Sequence, residues 1–413
     1  MSARADFVDP LDLVDAERYG KRGYPHDVWT RLRAEAPLAR LEAPGFEPFW
    51  AVTKHADVQH IAKDPLRFSS AGGITLRRAG APLPPPTEIL VLQDPPRHGP
   101  MRRIANPDFT PRGVKARRPD IERIAVEVLG EALHEGAPGE LDFVGRIAGP
   151  FPLAVIASVL GAPRSDVANL FRWTNEIIGK DDPEYRRPGE TPGQTIKRAR
   201  GELHAYLGGL IAERRDNPQD DLVSLLLAAD LEGAPLTEAQ VLSYAELLVE
   251  AGNETTRNAI SGGVLALAER PGEWDKLRAN PEVLPDAVEE ILRWASPISH
   301  FTRIATEDAE VVRGVTIPAG DQVALYFASA NRDEDVFEDP FAFRVDRRPN
   351  PHLAFGFGEH FCMGAHLARV EIEVMFRHLV ERVDSFEVAG PVERLSSIVN
   401  GSIKRLPIRL HHA

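Results

Sequence analysis

The sequence predicts a mainly helical fold with small β-sheets (α+β), and three observations predict it. Apolar residues recur at helical spacing through most of 115–230, across 237–270 and again over 365–381. Period-two alternation is confined to short stretches at 49–52, 312–316 and 322–327. No linker, repeat or low-complexity segment divides the chain, so 1–413 reads as a single domain, an irregular lead-in to residue 45 and a core over 45–405.

Taken in order, the lead-in holds a helix near 26–35; 49–52 is a strand and 55–64 a helix. Residues 69–86, rich in Gly, Pro and Ala, form a long loop, either a functional lid or a surface excursion. His98 and Arg102, four apart, share one face of a helix there; Pro100 between them predicts a late helix start. Helices follow over 121–133, 143–160, 167–178 and 196–215, with a polar Pro/Gly loop at 181–194. Thr237-Glu238-Ala239-Gln240 is a capping box, and the helix it starts runs until Pro271 stops it. Strands at 312–316 and 322–327 flank a Pro318-Ala319-Gly320 turn.

The long helix carries a poor helical sequence at its middle, Ala251-Gly252-Asn253-Glu254-Thr255-Thr256. Glycine weakens a helix, and the Thr255 hydroxyl is placed to bond the carbonyl of Ala251 four earlier. An acid beside an alcohol there is a candidate proton relay; a small-residue helix crossing with an exposed Glu accounts for the same residues. Glu290 and Arg293, three apart, can pair on a helix.

Composition excludes several classes. Sixty-two acidic against 49 basic residues give a net charge of −13, which argues against nucleic acid or an anionic membrane as partner. A single cysteine rules out an intrachain disulfide and any multi-cysteine zinc or iron–sulfur site. Residues 1–25 lack the apolar core of a secretory leader, and the longest apolar run, 153–160, is too short to span a bilayer. The expectation is a soluble, cytoplasmic protein.

That one cysteine, Cys362, sits among Gly356, Gly358 and Gly364, just before the amphipathic run 365–381. A tight glycine loop feeding a helix N-terminus favours a thiolate, a soft ligand for iron. A lone cysteine is more commonly a small buried hydrophobe. The surrounding pattern decides between them: Phe-x-x-Gly-x-x-x-Cys-x-Gly is met at Phe355, Gly358, Cys362 and Gly364, with His360 two before the cysteine.

This loop closely resembles the haem-binding loop of the cytochrome P450 superfamily, and the chain resembles its bacterial, soluble, ferredoxin-dependent members over about 45–405. The other motifs follow in the same order. His98 and Arg102 resemble the C-helix pair that holds a haem propionate, and the hexapeptide at 251–256 resembles the oxygen-activating groove. Glu290-x-x-Arg293 resembles a structural pair bracing the cysteine loop, with Arg344 or Arg347 left open as its third member.

The resemblance implies haem b (iron protoporphyrin IX) with Cys362 as the axial thiolate and metal ligand, and O2 as co-substrate. Ala251 would make room for O2, while Thr255 and Glu254 would deliver protons, the acid connecting to solvent. Phe355, His360, Gly364 and Arg303 complete the cofactor contacts. Leu247, Leu248, Ile298, His300, Phe301 and Val399 are the implied pocket. Glu250 either faces the pocket, where a buried carboxylate needs a partner and could meet a polar or cationic substrate group, or points away, the preferred reading. The implied reaction is insertion of one oxygen atom into a C–H bond of a steroid, terpenoid or branched lipid, or tailoring of a secondary metabolite. Electrons would come from NAD(P)H through a ferredoxin reductase and a ferredoxin docking on Arg102, Arg103, Arg112 and Arg369. The protein is expected to be a monomer. A peroxygenase should lack the acid–alcohol pair, and a haem sensor would need no relay, so both rank lower.

Overall fold

The residues at 38–52 form a hairpin because both arms alternate apolar side chains. Leu38–Leu41 pairs antiparallel with Phe49–Val52, Leu38 opposite Val52 and Leu41 opposite Phe49. The computed structural model, which describes residues 5, 7–135 and 140–412, extends this hairpin into a five-stranded sheet. Gln322–Tyr326 joins parallel to Phe49–Val52, His300–Ala305 lies antiparallel to it, and Phe68–Ser69 closes the edge. Trp29, in the helix His26–Glu35, is fully buried in the cluster that also holds Phe49, Ala324 and Tyr326. The lead-in is therefore not irregular to residue 45. It carries the helices Leu11–Val14, Ala16–Arg22 and His26–Glu35 and the first strand, all before that position.

A second correction concerns 309–327. The strands are Ala309–Val311 and Val315–Ile317, paired with each other around a turn at Val312–Gly314, while Gln322–Tyr326 belongs to the large sheet. Arg313 and Gly314 both take positive φ (70° and 65°), which makes Arg-Gly the turn. The alternating pattern alone could not show which of two adjacent turns closes a hairpin.

The helical layer is organised by the helix Glu238–Ala268, 31 residues and about 46 Å long at 1.5 Å per residue. Its capping box forms as predicted: Thr237 Oγ1 accepts from Gln240 N–H, and Thr237 N–H donates to Gln240 Oε1 at 2.9 Å. Pro271 begins the next helix, Pro271–Ala279, rather than merely ending this one. The central helix packs against Pro150–Leu160, Pro192–Asp216, Leu284–Ala295 and Ala365–Arg382. A Cβ on Gly252 would lie 2.8 Å from Ile156, so this glycine is also a close helix crossing.

Three helix boundaries differ from expectation for local reasons. The helix at 98 starts at His98, not later: Pro100 lies in its first turn, where backbone N–H groups have no helical partner to lose. The run 143–160 breaks at Gly149 into a π-helical turn, Val144–Ala148, and the helix Pro150–Leu160. The helix at 196 begins earlier, at Pro192, because Thr191 and Gln194 form a second capping box.

Candidate active site

The site is built where the cysteine loop meets the central helix. Cys362 lies between the turn Gly358–His360 and the helix Ala365–Arg382, and its N–H donates to the Phe355 carbonyl at 2.9 Å. Gly358 has φ +75°, and a Cβ there would lie 2.3 Å from the Ala62 carbonyl oxygen, so only glycine lets the loop pass that backbone. Cys362 is an exposed residue and carries a free thiol. Burial pushes the thiol pKa up, against the Gly364 amide and the charges of Arg102 and Arg369 that pull it down.

The central helix packs against the helix that follows the cysteine loop and carries an accessible face of its own. Ala251 is exposed in the middle of a helix whose flanking Val249 and Asn253 have no accessible surface, and Leu247 and Thr255, one turn either side, are partly exposed. Tyr244, two turns before Ala251, donates its hydroxyl to Met363 Sδ at 3.7 Å, next to Cys362. Phe355 packs edge-on to Phe361. Thr255 Oγ1 donates to the Ala251 carbonyl at 2.9 Å, as its spacing predicts.

Glu254 differs from expectation. It is buried rather than connected to solvent, ion-paired to Arg257 and accepting from Ser402 Oγ at 2.5 Å. Ser402 in turn accepts from Asn258 Nδ2 at 2.7 Å, and Arg257 donates to Asn175 Oδ1 at 2.7 Å. A carboxylate so held moves a proton only after it leaves Arg257. Arg257, at i+3, was legible on the helix; Ser402, in another element, was not.

A group of histidines and arginines surrounds the cysteine loop. His98, buried, shares a hydrogen bond between Nδ1 and Glu359 Oε1 at 2.9 Å, and its ring lies 4.4 Å from that of His360. Arg102 donates to the carbonyls of Phe361 (2.6 Å) and Glu359 (3.4 Å). Burial, with the charges of Arg303, His98 and Arg102, lowers His360 to about 3, so it is neutral; its Nε2 is 3.1 Å from Ser70 Oγ. Arg303 is buried, its Nη1 bonds only the Thr302 carbonyl, and it forms no ion pair among the described residues. Burial drops its pKa to about 10. A buried guanidinium without an anion is costly and is a ready partner for a carboxylate.

The structure brings Ile298 and Val399 together: Ser299 N–H donates to the Val399 carbonyl at 2.7 Å, and Ile298 bridges Asn400. Phe301 is partly exposed. His300 is not a pocket residue. It alternates to the opposite face of the strand from Phe301 and Arg303, has no accessible surface, and stacks on Tyr326 at 4.8 Å. Burial lowers it to about 4. Leu248 is likewise almost wholly buried in the core, leaving Leu247 on the accessible face.

Glu290 and Arg293 are both fully buried and bidentate, at 2.7 Å on each arm. The third member is Arg347, whose Nε donates to both Glu290 oxygens at 3.1 Å; Arg344 contributes only its backbone N–H. Arg293 also donates to the carbonyls of Asn331, Pro340 and Ala342, pinning the segment that leads to the cysteine loop.

These residues fit haem: a free thiol on an exposed glycine loop, an accessible face on the central helix, and a buried arginine without an ion-pair partner among the described residues for a propionate. Cys362 would hold the iron, with His98, Arg102 and Arg303 toward the propionates. When bound, the group supplies activation of O2 with thiolate electron donation. The chain's own part would be to hold substrate against Leu247, Ala251 and Phe301, and to hold a proton at Thr255 Oγ1. Arg303→Leu is expected to speed haem loss to apomyoglobin by about tenfold, the value of one charge-assisted bond of about 1.4 kcal/mol. An unchanged rate would remove Arg303 from the propionate site.

Comparison with known proteins agrees with this geometry. The family described as Cytochrome P450 matches residues 16–393. The methyl-branched lipid omega-hydroxylase of Mycobacterium tuberculosis is 39% identical over 92% of this chain and 90% of its own length. Linalool 8-monooxygenase of Pseudomonas putida is 37% identical over 97% of this chain and 98% of its own. Steroid C26-monooxygenase of Mycobacterium bovis is 36% identical over 95% and 89%. A crystal structure of a cytochrome P450 from Novosphingobium aromaticivorans superposes with a TM-score of 0.88 at 34% identity, covering 97% of this chain and 98% of that one. No helix among the described residues is long and apolar enough to cross a membrane. With fold, cysteine loop and relatives in agreement, the chain belongs to the cytochrome P450 family and is a monooxygenase of it.

Proposed function

We propose that this monooxygenase hydroxylates an apolar small molecule of the steroid, terpenoid or branched-lipid class, drawing electrons from a ferredoxin and its reductase and ultimately from NAD(P)H. The observation that carries the reading is the accessible face Leu247–Ala251–Thr255 of the central helix, apolar except for one hydroxyl, on the helix whose Tyr244 contacts Met363 next to Cys362. The printed names of the relatives, a branched-lipid hydroxylase, a linalool monooxygenase and a steroid monooxygenase, support the same class. The ferredoxin surface rests on Arg103 and Arg112, both exposed. Arg369 contributes less than expected because Glu289 holds it at 2.6 and 2.9 Å, and Arg102 is engaged with the loop carbonyls. A monomer in the cytoplasm completes the reading.

The test is turnover under isotopically labelled dioxygen with a ferredoxin, its reductase and NADPH. One labelled atom per product and the other in water is expected. Equal product from peroxide alone, with no label taken from dioxygen, would replace this reading by a peroxygenase.

A further inference from the structure

The wall beside Ala251 carries a charge imbalance. Glu246 and Glu250 sit four apart on the central helix, where like charges repel. One arginine serves both: from the helix Pro192–Asp216, Arg200 Nε lies 2.5 Å from Glu246 and Nη2 3.4 Å from Glu250. Glu246 is buried; one oxygen holds the Arg200 charge as an ion pair without hydrogen-bond geometry, and the other meets His204 Nε2 at 2.8 Å. Glu250 holds the longer share of Arg200. Its side chain keeps 22% of its surface open, and it directly precedes Ala251, whose exposure marks the cavity. Burial, with the charge of Glu246 against that of Arg200, raises its pKa to about 7. That open surface, next in the chain to exposed Ala251 and turned toward the Arg200 helix, is consistent with Glu250 at the edge of the same accessible region. Perturbed, under-partnered carboxyls concentrate where ligands bind.

We propose that Glu250, steadied by Arg200, is the polar end of the substrate cavity and accepts a hydrogen bond from the hydroxyl of an otherwise apolar alcohol. The rest of that substrate lies along Leu247 and Ala251. A hydroxyl donates without adding charge. An ammonium would set a second cation against Arg200, and a carboxylate would meet two glutamates already sharing that arginine. The inference rests on the monooxygenase reading and names its substrate class.

The experiment titrates the haem-loaded protein with decanol, decane, decylamine and decanoate, following the haem spin-state shift, in wild type, Glu250→Leu and Glu250→Gln. A carbon monoxide difference band in each protein shows that the cysteine-bound haem is intact, so failure of the monooxygenase reading is seen separately. Wild type is expected to bind decanol about tenfold more tightly than decane, the worth of a hydrogen bond to a carboxylate. Glu250→Leu should abolish that difference, and Glu250→Gln, which keeps an acceptor, should retain part of it. Equal binding of decanol and decane in wild type, or an alcohol preference surviving in Glu250→Leu, overturns the proposal. So does tighter binding of decylamine or of decanoate.

Discussion

Glu290→Ala is expected to give a protein that retains little haem and unfolds well below the wild type. The substitution strands two buried guanidiniums, Arg293 and Arg347, and frees the Arg344 and Asn350 donors that also point at this carboxylate. Breaking a buried ion pair from one side costs about 3–5 kcal/mol. That is a large part of the roughly 5–15 kcal/mol that holds a typical fold. Because Arg293 pins the carbonyls of Asn331, Pro340 and Ala342, the damage reaches the approach to the cysteine loop. Thermal unfolding and haem content of the purified protein check this. Arg347→Leu should behave similarly, whereas Arg344→Ala, which leaves the bonded backbone N–H in place, should be near neutral. A stable Arg347→Leu together with an unstable Arg344→Ala would reverse the assignment of the third member.

Thr255→Ala is expected to lower product formation by about a hundredfold, the lower end of the range for a lost proton-transfer group. NADPH and oxygen consumption should continue, with hydrogen peroxide replacing product. The hydroxyl is the one polar side-chain group on the accessible face Leu247–Ala251–Thr255, and its bond to the Ala251 carbonyl at 2.9 Å holds it there. Thr255→Ser, which keeps the hydroxyl, should keep most of the coupling. Product and peroxide measured against oxygen consumed decide the matter; unchanged coupling in Thr255→Ala would remove the hydroxyl from the relay.

What the sequence made legible follows from the range of the interactions. The cysteine loop, both members of Glu290-x-x-Arg293 and the Thr255 back-bond lie within a few residues, and local spacing shows them. Arg347 lies 57 residues from Glu290 and Ser402 lies 148 from Glu254, so no local pattern joins them. His300 was misplaced despite a usable signal: period-two alternation on its strand puts it opposite Phe301 and Arg303. Glu254 kept its place beside Thr255 but not its expected access to water, because Arg257 and Ser402 close over it. Which way Glu250 faces was not legible, because a charged side chain beside an apolar pocket is costly unless paired. Its partner, Arg200, comes from another helix.

The central claim is that Cys362 holds haem iron as a thiolate. The direct measurement is the absorption spectrum of the dithionite-reduced, carbon monoxide-treated protein, for wild type and Cys362→Ser. The account predicts the long-wavelength Soret band of a thiolate–carbon monoxide complex in the wild type and its loss in the variant. A haem-free wild type, a band typical of histidine-bound haem, or a long-wavelength band that survives in Cys362→Ser would contradict it.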